Sequence, residues 1–333
     1  MRILVVRLGS MGDVIHALPA VASLRHSFPG SRLTWVIRPK WQYLLEGNSF
    51  VDEVVPMERS FRGAASTIRE LRRERFDAVV DFQGLIQSAL VAALAKADKK
   101  VGLHRSQARE GLASLFYSTA VLTKSAHRVD ANLELAAAAG ASNLLRVFPL
   151  PQGRPEGTLP QGRFVLASPL AGWGSKQWPL EFYEEVAKAL ALTQGMPLVV
   201  NGPPEAAGLL ASVPARAPGA QIHLSGLPGL IDATRRAYAV IGVDSGPLHL
   251  AAALSKPGVA IYGPTDPASH GPYGSSIQGG SIRVLRSPDA VTSYKRRTEI
   301  DESMRAITPL AVLESLGDAI RDSLLKVSAK APA

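Results

Sequence analysis

The sequence predicts an α/β protein of two doubly wound, Rossmann-like parallel-sheet domains, and three observations predict it. Short β-rich runs alternate with helix-period segments along all 333 residues, the pattern that covers a parallel sheet with helices on both faces. The length exceeds what one core usually serves, so two domains are the natural division. A turn-rich passage near the middle, Phe148-Pro149-Leu150-Pro151-Gln152-Gly153-Arg154-Pro155 and then Gly157, Pro160 and Gly162, has the proline and glycine density of an interdomain linker. The expected domains are residues 1–150 and 151–333.

In the first domain the expected strands are Arg2–Leu8, Arg32–Ile37, Glu53–Pro56, Ala78–Phe82 and Lys100–Gly102. Helices fall between them near Val14–Ser27, Phe61–Arg73, Ile86–Leu94 and Val129–Ala139. Pro19 lies inside the first helix and is expected to end or kink it, since proline has no N–H for the helical ladder. After the linker, strands are expected at Phe164–Ser168, Leu198–Asn201, Gln221–Leu224, Ala239–Val243 and Val259–Tyr262. A helix from Pro247 to about Leu254 and a final one from Leu310 to Leu325 complete the pattern, with Ser328–Ala333 as a loose tail. Two such domains imply a cleft, because ligands of doubly wound sheets sit beyond the carboxyl ends of the strands.

Composition narrows the function. Apolar residues make up 46% and charged residues 20%, as in a folded globular protein. The absence of cysteine excludes disulfides, thiolate nucleophiles and cysteine-held metals. No apolar run approaches the roughly 18 residues that span a bilayer, and the apolar start Ile3–Val6 is too short for a signal peptide, so a cytoplasmic protein is expected. The net charge is +9, and residues 1–150 hold 20 Lys+Arg against 13 Asp+Glu while the remainder holds 17 against 15. The first domain is therefore the side expected to meet an anion or an anionic membrane surface. Part of that charge is solvated helix face, as at Arg69, Arg72, Arg73 and Arg75. Nucleic acid is the competing partner, but aromatics are only 6% and no basic helix carries interleaved aromatic residues, so it is not expected.

The most informative motif is Val243-Asp244-Ser245-Gly246-Pro247-Leu248-His249, followed by Tyr262-Gly263-Pro264-Thr265-Asp266-Pro267. It reads as a buried strand, a tight turn and a helix whose free N–H groups form an anion site. The plainer reading is that Asp244 and Ser245 only cap the helix. Leu8-Gly9-Ser10-Met11-Gly12-Asp13 has G-x-x-G spacing and lacks the dinucleotide fingerprint G-x-G-x-x-G. Asp13 is either a helix cap or a general base for a hydroxyl, and His16, one turn on, reads as structural. Gly172-Trp173-Gly174-Ser175-Lys176 is a glycine-rich loop before a helix, able to wrap a diphosphate with Lys176 as counter-charge. Glu205, in Asn201-Gly202-Pro203-Pro204-Glu205, is either a ribose-binding carboxylate or a solvated turn residue. No D-x-D pair and no metal-ligand spacing occurs, so neither metal nor cofactor is expected.

These segments together resemble the lipopolysaccharide heptosyltransferases, the ADP-heptose transferase family. The likeness covers nearly the whole chain: MRILVVRLGSMGDVIHALPA, DFQGLIQSA, AREGLASLFY, GWGSKQWP, GVDSGPLHLAAAL, YGPTDP and Gly271-Pro272-Tyr273-Gly274. The resemblance implies a GT-B fold and an inverting transfer of heptose from ADP-heptose to a Kdo sugar of Kdo2-lipid A. By position it implies Asp13 as catalytic base and Lys176 as the donor-phosphate lysine. It likewise implies Glu205 at the adenosine ribose, Asp244 at the donor sugar, and Ser245, Gly246 and His249 at the diphosphate. Arg109, with Arg59 or Arg62, is implied at the acceptor. An anionic acceptor fits the basic first domain, and peripheral attachment to the inner membrane face is expected. Ala171 and Gly172 depart from the family, standing where some members place threonines on the donor phosphates. Three rivals remain: heptosyltransferase II or a member using another acceptor or sugar, an NAD-dependent oxidoreductase, and a non-catalytic nucleotide-sugar-binding protein.

Overall fold

The computed structural model describes residues 1–273 and 281–328, and the chain divides into two compact units, Met1–Pro151 and Gln152–Ala333. Gly274 and residues 329–333 of the expected tail lie outside the described residues.

Unit 1 runs β1 (Arg2–Val6), α1 (Met11–Ser27), β2 (Arg32–Ile37), β3 (Glu53–Pro56), α2 (Phe61–Leu71), β4 (Arg75–Asp81), α3 (Ile86–Leu94), β5 (Lys96–Leu103), β6 (Thr119–Val121) and α4 (Arg128–Ala139), with 3₁₀ turns at Pro39–Leu45 and Gly111–Phe116. Its sheet order is β3-β2-β1-β4-β5-β6 and every pair is parallel. In register, Val5 sits between Trp35 and Val80. The strand Ile3–Val6 is fully buried, which is why it reads as an unbroken apolar run rather than an alternating one.

Unit 2 runs β7 (Val165–Ser168), α5 (Leu180–Gln194), β8 (Leu198–Gly202), α6 (Ala207–Leu210), α7 (Ser212–Arg216), β9 (Ala220–Leu224), α8 (Leu227–Arg236), β10 (Ala239–Val243), α9 (Gly246–Ala253), β11 (Gly258–Tyr262), α10 (Pro267–His270), β12 (Ile282–Arg286), α11 (Glu302–Arg305) and α12 (Pro309–Ser328). Its sheet order is β12-β11-β10-β7-β8-β9, all parallel. Counted from its own first strand, each unit has the order 3-2-1-4-5-6 or its mirror reading. The order reverses between β1 and β4 in unit 1 and between β7 and β10 in unit 2. A crevice opens at such a reversal because the connections on its two sides leave toward opposite faces of the sheet.

Several boundaries differ from expectation, each for a local reason. β1 ends at Val6, not Leu8, because the Leu8 N–H turns to Gln83 Oε1 at 3.0 Å. β5 begins at Lys96, four residues early: its lysines hide the strand in sequence, yet Lys99 and Lys100 turn their ammonium groups onto the Ala138 and Ala93 carbonyls. The edge strands β6 and β12 were not expected, being short or charged. Pro19 does not end α1, which continues to Ser27. Nearly every residue from Met11 to Leu24 is buried, and that burial outweighs the roughly 3 kcal/mol cost of an interior proline. Among the described residues no helix is long and apolar enough to cross a membrane.

Candidate functional site

In unit 1 the chain leaves β1 through Arg7–Ser10 and enters α1. Gly9 has a φ of +144°, and a Cβ there would lie 2.6 Å from the Trp41 indole nitrogen; only glycine passes so close to the ring in that conformation. Ser10 is the N-cap of α1 and Asp13 its third residue. One Asp13 oxygen accepts from the Ser10 N–H and from the Ser10 hydroxyl, both at 3.0 Å. The other lies 2.5 Å from an Arg7 guanidinium nitrogen. Asp13 is thus both a capping-box residue and one partner of an ion pair. Its side chain keeps 28% exposure, against 9% for Arg7, so the carboxylate faces outward while the arginine is its buried support. Arg7 is fixed from behind by the Phe82 carbonyl, just past β4. The base candidate therefore sits at the reversal of the sheet.

Cations follow one strand after another along this carboxyl edge: Arg7 after β1, Arg38 after β2, Arg59 shortly after β3, and Arg105 and Arg109 after β5. Arg38 donates to the Met57 carbonyl at 2.9 Å and to Gln87 Oε1 at 2.7 Å. Burial first, then the neighbouring Arg59 charge, lowers its pKa. Arg59, Arg62 and Arg109 are exposed. Arg59 and Arg62 lie beyond β3 and Arg109 beyond β5, on either side of the β1 and β4 ends. His16 is buried, edge-on to His127 with ring centroids 5.4 Å apart, and belongs to the α1–α4 packing.

In unit 2 the two loops at the reversal meet. Lys176, on the 3₁₀ turn Gly174–Lys176 after β7, places Nζ 2.7 Å from Asp244 Oδ2 after β10. The His249 Nε2 lies 3.6 Å from the other Asp244 oxygen. All three side chains are at most 14% exposed. Burial works against the charged carboxyl, but the His249 imidazole and the Lys176 ammonium outweigh it and hold Asp244 well below the usual carboxylate range. Lys176 also lies 4.6 Å from the Trp173 ring centroid. An ammonium has three donors, so pairing with Asp244 leaves Lys176 capacity for further oxygens.

Ser245 occupies the N-cap position of α9, yet its side chain accepts no hydrogen bond from the helix, and its buried Oγ has no hydrogen-bond partner. A capping role alone does not account for it. The first turn of α9 presents Gly246 beside this hydroxyl, and Pro247 occupies the second helical position. Buried hydroxyls in the same condition occur at Ser175 and Thr265, on the loops after β7 and β11. Of the three, Ser245 stands at the positive end of α9, a position that suits a phosphate. Glu205 stands apart, exposed on the turn after β8.

Two glycines of the GWGSK loop have different reasons. A Cβ on Gly174 would fall 1.7 Å from the Thr298 carbonyl oxygen, whereas Gly172 has open space. The loop is held by the chain at 297–298, with the Ser175 N–H donating to the Arg297 carbonyl at 3.1 Å. Sequence reasoning missed Arg7 and Arg38. The available signal was a lone arginine closing an apolar strand run, at VVR and again at WVIR.

Comparison with known proteins agrees with this architecture. The sequence profile of glycosyltransferase family 9 (heptosyltransferase) matches residues 64–295. Lipopolysaccharide heptosyltransferase 1 of Escherichia coli K12 is 31% identical over 306 residues, covering 83% of this chain and 92% of that one. The protein of the same name from Pseudomonas aeruginosa is 31% identical over 300 residues, covering 83% and 82%. Among solved structures, E. coli heptosyltransferase WaaC with ADP superposes with a TM-score of 0.78 at 26% identity, covering 96% of this chain and 100% of that one. The same enzyme with ADP-2-deoxy-2-fluoro heptose gives 0.76 at 26% identity, covering 96% and 99%.

Proposed function

The chain belongs to glycosyltransferase family 9, the heptosyltransferases, and from that premise we propose that it moves heptose from ADP-heptose to a Kdo residue of Kdo2-lipid A, as an inner-core lipopolysaccharide transferase. The observation that carries this reading is the likeness to heptosyltransferase 1 across 83% of the chain. The named relative bound to an ADP-heptose analogue supports the donor. The arginine-lined carboxyl edge of unit 1 supports an anionic acceptor held at the membrane surface.

In this mechanism Asp13 takes the proton of the acceptor hydroxyl as its oxygen attacks the anomeric carbon of the donor. Arg7 holds the carboxylate from behind, and the Ser10 N–H and hydroxyl fix its other oxygen, so the base is oriented before the acceptor arrives. The bond from the anomeric carbon to the diphosphate breaks on the opposite face, inverting the centre, and ADP leaves with the electron pair. Lys176 and the N–H groups at the start of α9 stabilise that charge, aided by the Ser245 hydroxyl. Asp244, kept ionised, accepts from a donor-sugar hydroxyl and anchors Lys176. His249 supports the diphosphate side through Asp244. Glu205 is assigned to the adenosine ribose, and Arg59, Arg62 and Arg109 to the acceptor's carboxylates and phosphates.

The test is mass spectrometry of a mixture of protein, ADP-heptose and Kdo2-lipid A without added metal. One added heptose supports donor, acceptor and metal independence together. ADP binding without product would retain the donor site and move the acceptor or the sugar to another family member's chemistry.

A further inference from the structure

One face of unit 1 is apolar and uncovered. On α3, Ile86, Leu90 and Leu94 recur every four residues along one side and are 36, 39 and 43% exposed, while Ser88, Ala89, Val91 and Ala92 are buried. The 3₁₀ turn Gly111–Phe116 packs on α3 through Ala89, Ala113 and Phe116. Three residues per turn place Leu112 and Leu115 on the same side of it, and they are 64 and 77% exposed. The two elements are tied at one end, where Glu110 Oε2 accepts the Ile86 N–H at 2.6 Å. A globular helix facing water carries polar residues on that side; here five large aliphatic side chains occupy two adjoining elements.

The surroundings of this face are cationic. Arg105 and Arg109 precede the turn, and Lys96 and Lys100 follow α3. The Lys100 ammonium donates to the Ala93 carbonyl at 2.7 Å, at the far end of the stripe. Residues 59–124 carry twelve Lys+Arg against six Asp+Glu. Of those acids Asp81 is buried, Glu110 is bound to the α3 N-terminus and Asp98 is paired with Arg75.

We propose that this α3–turn face lies on an anionic phospholipid bilayer, with Leu112, Leu115 and the α3 stripe among the acyl chains and the arginines and lysines at the headgroups. The proposal rests on the lipid-linked acceptor assigned above: the face ends at Arg109, so an acceptor projecting from the bilayer presents its anionic sugar to an acceptor arginine. A second copy of the chain fits less well. Two-fold pairing through this face would bring the cationic surroundings of one copy, Arg105 and Arg109 among them, toward the equally cationic surroundings of the other, and like charges across an interface are unfavourable.

The test is co-sedimentation of the full chain with vesicles of phosphatidylcholine alone or with about 30% phosphatidylglycerol, a composition giving a negative surface potential. The chain is expected to sediment with the anionic vesicles. The double substitution Leu112→Glu and Leu115→Glu should lower that affinity about tenfold or more, with the wild-type Tm and the wild-type rate on an acyl-free Kdo acceptor. Separately, the emission of a Leu115→Trp variant should move to the blue on adding anionic vesicles. Wild-type protein that stays in the supernatant, or a double variant that binds as the wild type does, would overturn the proposal. A dimer seen by light scattering that the double variant dissolves, without vesicle binding, would overturn it in favour of a second copy. Vesicle binding as described, without transfer to either acceptor, would sink the acceptor assignment and leave the membrane face standing.

Discussion

At Asp13 one carboxylate closes the N-terminal turn of α1, and the proposed function gives it a second purpose as a base; its neighbours allow the two to be separated. The Arg7 and Ser10 contacts hold the group without covering it. Asp13→Ala should lower kcat by about 10²–10⁴-fold, the usual contribution of a general base, while ADP affinity in calorimetry stays near the wild-type value. A loss of ADP binding with turnover preserved would remove the base assignment. Arg7→Met should lower kcat about tenfold or more and move the acid limb of the pH–rate profile upward, because a neighbouring cation favours the ionised carboxylate. Arg7→Lys should restore most of both, and an unmoved profile in the methionine variant would leave Arg7 with a packing role only. In unit 2, Asp244 is depressed below its unfolded value, so its stabilising contribution is complete above that value and is lost as pH falls through the folded one. In urea unfolding, the stability gap between wild type and Asp244→Asn should be widest near neutrality and narrow below pH about 4. A gap constant from pH 7 to 3 would contradict the Lys176–Asp244 pairing.

At the scale of elements, the turn after β4 is what places Arg7. Asp81 ends β4 fully buried, accepting from the Gln83 N–H at 2.8 Å and from the Tyr117 hydroxyl at 2.7 Å. Gln83 in turn receives the Leu8 N–H, and the Phe82 carbonyl receives Arg7. Two strand ends are thereby joined across the reversal of the sheet through one carboxylate. Burial raises the Asp81 pKa, though Tyr117 and the turn N–H groups pull against it. With the folded value above the unfolded one, the native state binds the extra proton and the residue costs stability as pH rises past about 4. Tyr117→Phe removes the hydroxyl donor and should destabilise by about 1–3 kcal/mol in urea unfolding. The loss should grow with pH, since the ionised form needs the donor. An equal loss at pH 4 and pH 8 would mean that packing, not the hydrogen bond, was removed.

At the scale of the whole molecule, charge is unevenly divided: residues 1–150 hold an excess of seven cations and the remainder an excess of two. Salt screens exposed charge with a Debye length of about 10 Å at 0.1 M and about 3 Å at 1 M. Lys176 and Asp244 are almost buried, whereas Arg59, Arg62 and Arg109 are exposed. Raising NaCl from about 0.05 to 0.5 M should therefore increase the KM for Kdo2-lipid A severalfold and change the KM for ADP-heptose less. A larger effect on the donor would place the working charge in unit 2 instead.

Much of the fold was legible in the chain because fully buried parallel strands such as Ile3–Val6 and Ala239–Val243 must be continuously apolar, and because turns that end them use Gly, Pro, Ser and Asp. The strand–turn–helix around Asp244 and the expectation of two parallel-sheet units came from that grammar alone. Strands β5, β6 and β12 were misplaced or unseen because edge and lysine-bearing strands gain their backbone partners from neighbours distant in sequence. Pro19 does not end α1 for the same reason, since the burial that carries the helix past it comes from other elements. Pairing was beyond sequence altogether. Lys176 and Asp244 are 68 residues apart, and Arg7 meets the Phe82 carbonyl across 75. The sequence determined which chemistry each strand end carries; the sheet order, by setting β1 beside β4 and β7 beside β10, decided which of those ends meet.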